Sequence, residues 1–243
     1  HQKDLFPLYR EYLDQKVSFE DIGRVIEAVK AKYKAAGYLT TTAFLPEQEI
    51  RDGKVRIQVV EGKMGSLRVE GNKWFSSYEI ARSVHAIQNA VLNIPELQKD
   101  ILRLNQNPDL DAKTVLMKGA EPETSDVVIK VSDRFPWHVG TTLDNQGTRL
   151  TGRYREGFYV RSSNVTGRGD TLFANSSFTG ETFGQSLSYL LPLGNRGTKL
   201  GIDASYYKMR LGKEFKSAEI TGRSQAYTPH ISQELILSEF FSV

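Results

Sequence analysis

The sequence predicts a pair of α+β repeats followed by an all-β transmembrane barrel, and three observations carry that expectation. Residues 144–209 run as short stretches of alternating polarity broken at glycine-containing turns. Ahead of them, the order helix–helix–strand–strand occurs twice. No apolar run approaches the ~20 residues that a membrane-crossing helix needs, so any crossing of a bilayer falls to strands.

The alternation is the most informative of the three. Successive side chains of a strand point to opposite faces. In TKLGIDASYYKM, Leu200, Ile202, Ala204 and Tyr206 share one face, and Gly201, Asp203 and Ser205 share the other. In GQSLSYLLPL, Leu187, Tyr189 and Leu191 oppose Ser186 and Ser188. A sheet that is apolar on one side and small or polar on the other suits a barrel with lipid outside and a wet lumen inside. Hydrophobic residues make up 39% of the 243 and aromatics 10%. That is lean for a soluble core and ordinary for a polar-lined barrel.

The repeats are read element by element. Residues 4–14 have a helical pattern, and a second helix starts at Ser18. Ser18 with Asp21 forms a capping pair, while Ile22, Val25, Ile26, Val29 and Tyr33 fall on one helical face. Gly37 ends the helix, since glycine takes the left-handed cap at no steric cost. Strands at 38–46 and 54–62 follow, joined by the Arg51-Asp52-Gly53 turn. The second repeat has a strand at 66–71, helices at 76–84 and 94–107, and strands at 111–119 and 125–133. It differs from the first by an opening strand, and the two read as a duplication with a period of roughly 70 residues. The expected domains are 1–63, 64–134 and 135–243. Barrel strands are expected near 137–144, 152–163, 169–179, 182–192, 198–210, 214–226 and 230–242. Seven strands cannot leave bare edges in lipid. The chain is therefore expected to be one part of a longer protein, trimmed before its first helix and continuing beyond Val243.

Composition excludes several classes. There is no cysteine, so neither a disulfide framework nor a thiolate metal site is expected. Net charge is +3, with cations dispersed among 29 acids rather than gathered into a nucleic-acid footprint. His1, His85, His138 and His230 lack ligand spacing. No GxxxxGK[ST] loop is present, so no nucleotide is expected. Asp144-Asn145 before Gly147 shapes a strand end, the RGD and Asn-X-Thr triplets of SSNVTGRGD are coincidences of a turn, and Glu121, Glu123 and Asp126 form a solvated loop. No constellation supports an enzyme.

Several stretches together carry a family resemblance. They are SFED (18–21) and YKAAGYLTTTAFLPEQEIRDGKVRIQVVEGKMGSLRVEGN (33–72), with Gly37-Tyr38, the Leu45-Pro46-Glu47-Gln48 corner, Asp52-Gly53 and Val60-Glu61-Gly62 as its characteristic parts. LQKDILRLNQNPD (97–109) and GAEPETSDVVIKV (119–131) belong to the second repeat. LDNQGTRLTGRYR (143–155), NVTGRGDTL (164–172) and YLLPLG (189–194) belong to the barrel. In these the chain resembles the two-partner secretion outer-membrane translocators, the TpsB group, whose periplasmic POTRA domains precede a β-barrel. It departs from them at Glu123, where the family usually has glycine.

The resemblance implies an outer-membrane pore, with its POTRA domains in the periplasm, that exports one large unfolded exoprotein. The POTRA pair would capture the N-terminal secretion domain of that partner by strand addition at an open sheet edge. Outer-membrane lipid would be the other partner; no nucleic acid, nucleotide, metal or cofactor is implied. The capture surface is expected to include Tyr38, Leu39, Phe44, Leu45 and Gln48 in the first repeat, with Val127 and Ile129 near the second. The competing reading is an assembly factor that inserts other barrels into the membrane. A third is a soluble α+β binding module with a β-rich C-terminal domain.

Overall fold

A computed structural model describes residues 2–85 and 88–235. In chain order these form α1 (Gln2–Tyr9), α2 (Phe19–Ala35), β1 (Thr42–Phe44), β2 (Gln58–Val60), β3 (Lys63–Glu70), α3 (Ser77–Arg82), α4 (Ile94–Leu104), β4 (Leu110–Lys118) and β5 (Thr124–Asp133). Six longer strands follow: β6 (Trp137–Asp144), β7 (Arg155–Ser162), β8 (Thr171–Phe178), β9 (Thr182–Leu193), β10 (Thr198–Arg210) and β11 (Thr221–Gln233). The chain divides into two compact units. One comprises His1–Arg68, His85–Gln98 and Thr114–Ile129; the other comprises Val69–Val84, Lys99–Lys113 and Lys130–Val243.

In the first unit, α2 begins where the sequence places it. The Asp21 N–H donates to Ser18 Oγ at 3.2 Å and the Ser18 N–H donates back to Asp21 Oδ2 at 2.9 Å, a reciprocal capping box. The Ser18 backbone N–H holds the Asp21 carboxyl below its ordinary range. The helix ends at Gly37, whose φ of +91° is left-handed, and a Cβ there would lie 2.6 Å from Pro95. Val25, Val29 and Ala43 form a core over which Leu5, Leu8, Ile57 and Val59 pack.

β1 and β2 form a two-stranded antiparallel sheet, with Ala43 opposite Val59. Both are shorter than the 38–46 and 54–62 the alternation predicts. The hairpin pairing is replaced at its far end by a bridge between Arg51 and Lys54 and by a side chain, Gln48, described below. The second repeat forms a three-stranded sheet in the order β3-β5-β4, so β5 is central and β3 and β4 are its edges.

The second unit contains the antiparallel meander β6–β11, in which each strand pairs with its sequence neighbours. Register places Val139, Val160, Ala174, Leu187, Ala204 and Tyr227 in one cross-strand row. The next same-face row includes Leu172, Tyr189 and Ile202. This parity carries most of the exposed large apolar side chains of the sheet, Val139 (69%), Leu187, Ile202 and Ile231 among them. The opposite parity carries Asn175, Ser186, Asp203 and Ser205. β9 to β11 have 12 or 13 residues, more than the ~9–11 that a tilted strand needs to cross a bilayer. Among the described residues, no helix is long and apolar enough to do so.

The end of this sheet corrects the sequence reading. Strands at 214–226 and 230–242 were expected. Instead Lys213–Ala218 is a short 3-10 turn, and the single strand β11 runs through the expected break. Pro229 fits inside β11 because, among the described residues, that strand is the sheet's edge, where a missing N–H breaks no ladder. Residues 236–242 of the last expected strand lie outside the described residues.

Candidate functional site

Tyr33 organises the exposed face of the first unit. Its ring meets Tyr38 edge-on at 6.1 Å, and its hydroxyl donates to Glu61 at 2.8 Å. Burial, then the Glu61 acceptor, push the Tyr33 phenol up to about 12. Tyr38 is half-buried and Leu39 exposed. Phe44 ends the edge strand β1 with 42% exposure, and Leu45 follows half-buried. Phe44 and Leu45 border a shallow groove closed on its other side by Gly23, Arg24 and Glu27 of α2. Gln48 has a different character. Its amide donates to the Arg56 carbonyl and accepts the Arg56 N–H, each at 2.8 Å, imitating a strand pair. It braces the corner that carries Leu45 rather than presenting a free polar group.

Val127 and Ile129 are both 0% exposed. They lie on the central strand β5, whose backbone is paired on both sides. Neither side chain nor main chain is open there, and both are core residues. The exposed edge is β4, where Val115, Leu116 and Met117 all face solvent. The sequence signal for this was the unbroken VLM run: three apolar residues in succession cannot all face one core.

Asp126 also departs from expectation. It is a strand residue of β5, and its carboxylate accepts the Ser66 N–H at 2.7 Å and faces Arg68 at 3.3 Å. The Ser66 N–H, assisted by Arg68, lowers its pKa.

The second unit holds a dense polar junction. Asp109, 3% exposed, accepts from the Ser163 hydroxyl at 2.5 Å and contacts His138 Nε2 at 2.9 Å with both oxygens. Burial opposes ionisation of Asp109, but the Ser163 hydroxyl and the His138 ring outweigh it and hold the carboxyl below its ordinary range. Arg103 on α4 reaches Asp100 at 3.2 Å, Glu234 at 3.0 Å and the Asn195 carbonyl at 2.9 Å. Asp133 accepts the backbone N–H groups of Lys73, Trp74 and Phe75 at 2.7–3.0 Å.

The NVTGRGD turn has its own network. Asn164 accepts from the Gly169 N–H and donates to the Trp74 carbonyl. Asp170 accepts from Thr166 and from the Tyr189 hydroxyl. The Asn-X-Thr and RGD triplets are therefore the internal frame of a turn.

Comparisons with known proteins bear on both parts of the chain. A POTRA domain of ShlB type matches residues 1–62. The model of the haemolysin secretion/activation protein ShlB/FhaC/HecB matches residues 123–236. In these two stretches the chain matches the ShlB/FhaC/HecB family.

Among its relatives is the heme/hemopexin transporter protein HuxB of Haemophilus influenzae, 30% identical over 234 residues; these cover 93% of the chain and 41% of HuxB. The outer membrane transporter CdiB of Dickeya dadantii is 24% identical over 176 residues, covering 72% of the chain and 31% of that protein. The chain thus spans well under half the length of these relatives. CdiB from Escherichia coli superposes with a TM-score of 0.75 at 21% identity, over 98% of the chain and 45% of CdiB. BamA from Haemophilus ducreyi lacking POTRA domains 1–3 reaches 0.58 at 18% identity, over 89% of the chain and 42% of BamA. These two likenesses show the shared fold: POTRA architecture joined to barrel strands.

One departure from the family pattern now has a geometric meaning. Glu123 has φ +64°, the left-handed region that glycine occupies without strain. The turn keeps the backbone shape for which glycine is suited, with the Gly119 N–H donating to the Thr124 carbonyl at 2.9 Å.

Proposed function

We propose that this chain is the periplasmic and barrel-entry portion of an outer-membrane pore that recognises and secretes one large exoprotein in two-partner secretion. Residues 1–63 and 64–134 act as the POTRA domains in the periplasm, and 135–243 supply the first barrel strands, in contact with outer-membrane lipid. The partner is an exoprotein with an N-terminal secretion domain. The chain acts as a conduit, not as a catalyst, and calls on neither nucleotide nor nucleic acid.

The observation that carries this reading is the pairing of open strand edges with a two-faced antiparallel sheet. β1 and β4 each end a small sheet with one side unpaired and with apolar side chains at the margin. An extended segment can add there by main-chain hydrogen bonds while its side chains use the groove beside Phe44 and Leu45. Tyr38 and Leu39 flank that edge and Gln48 holds its corner. The β6–β11 sheet offers a polar face to a chain in transit. The relatives named as transporters, HuxB and CdiB, support secretion.

The test is binding of the detergent-solubilised chain to the N-terminal domain of an exoprotein encoded beside its gene, with an unfolded outer-membrane barrel protein as competitor. Selective binding that Phe44→Asp and Leu116→Asp each weaken tenfold or more, about 1.4 kcal/mol, is the expected result. Preference for the barrel protein would move the assignment to barrel assembly.

A further inference from the structure

The second unit carries an aromatic patch apart from the strand edges proposed for capture. Trp74, in the loop after β3, is 51% exposed, and Phe135, just before β6, is 53% exposed. Their rings meet edge-on at 5.0 Å. Both large apolar surfaces are thus turned to the outside while touching each other along one edge only.

Position explains what they face. The pairing of β6 with β7 continues one step past the strand end, where the Ser163 N–H donates to the Pro136 carbonyl at 3.1 Å. Phe135 therefore shares the parity of Trp137 and Val139, the outward apolar set. Trp74 is fixed beside it by two further bonds: its carbonyl accepts from Asn164 at 3.1 Å, and its N–H donates to Asp133 at 2.7 Å. The patch is continuous with the lipid-facing side of the sheet and lies at the end of β6 that leads back to the small domains.

Charge agrees with position. Lys73 and Arg134 flank the two rings and are exposed. The nearest acid in sequence, Asp133, is turned inward onto three backbone N–H groups. Aromatic rings with neighbouring cations are the composition that settles at the headgroup level of a bilayer, the rings in the interface and the cations at phosphate.

We infer that Trp74, Phe135, Lys73 and Arg134 form a membrane-interface anchor, which binds the phospholipid headgroup layer at the periplasmic rim of the barrel. The inference rests on the barrel reading, which its test separates from it.

Trp74 and Trp137 are the two tryptophans of the chain, so Trp137→Phe and Trp74→Phe each leave one reporter. The longer pore proposed above, with any tryptophan outside these 243 residues changed to phenylalanine, is reconstituted into phosphatidylcholine–phosphatidylglycerol vesicles that carry either a headgroup nitroxide or bromines deep in the acyl chains. For the Trp74 reporter, a blue-shifted emission with loss of intensity to the headgroup nitroxide, and little loss to deep bromine, is expected. Lys73→Glu with Arg134→Glu should reduce that loss. A Trp74 emission as red and unquenched as in water, while the Trp137 reporter is quenched, would overturn the anchor and leave the barrel standing. Absence of quenching for both reporters would overturn both.

Discussion

Glu123 shows how a single backbone angle can depart from what its side chain prefers. An L-residue at φ +64° carries a steric cost that glycine does not. Glu123→Gly is therefore expected to stabilise the chain by about 1 kcal/mol, read as a higher urea midpoint with unchanged slope. An equal or lower midpoint would mean that the carboxylate contributes more than the strain removes. The odd residue was visible in the sequence as a departure from a familiar turn; its positive φ was not, because nothing local to GAEPETSD distinguishes a glutamate in that region from one in an ordinary bend. Asp126 is the same lesson reversed. It looked like a loop acid because it sits among Glu121 and Glu123, yet its partners, Ser66 and Arg68, lie 60 and 58 positions away.

Elements were legible where their cause is local. The capping box of α2, the stop at Gly37 and the alternation of β9 and β10 depend on neighbours a few residues apart, and each forms as the pattern dictates. The shortened β1 and β2 were not legible, because a glutamine side chain can take over strand pairing only once the corner has folded. Nor was the course of β11, where the edge position makes Pro229 harmless. The residues expected at the capture surface divide in the same way: alternation could show that Val127 and Ile129 share a face, but only the strand order shows that face and strand are enclosed.

The two faces of β10 invite a test at this scale. Ile202→Arg, on the outward parity, should cost about 2–4 kcal/mol if it lies near the bilayer midplane. Ser205→Arg, on the opposite parity, should cost far less. Urea titrations of the two variants in lipid vesicles, followed by fluorescence, would compare them; equal costs would contradict the assignment of the faces.

At the scale of the whole molecule, the second unit is held by ionised acids. Asp109 has its pKa lowered by Ser163 and His138 against the opposing effect of burial. A depressed carboxylate adds stability above its unfolded value of about 3.9 and loses it as pH falls through the lower folded value. Thermal unfolding in detergent should therefore weaken below about pH 4, and Asp109→Asn should flatten that decline while lowering stability at neutral pH by about 1–3 kcal/mol. An unchanged acid limb in the variant would assign the pH dependence to other groups.

The three bonds to Asp133 set an order of assembly. Their donors lie 58 to 60 positions earlier in the chain, and the residue that accepts them stands immediately before the linker to β6. Long-range closure of this kind is slow compared with local helix formation. The loop at 73–75 and the start of the linker to β6 are thus tied to each other only across a separation of 58 to 60 residues, once β5 has formed.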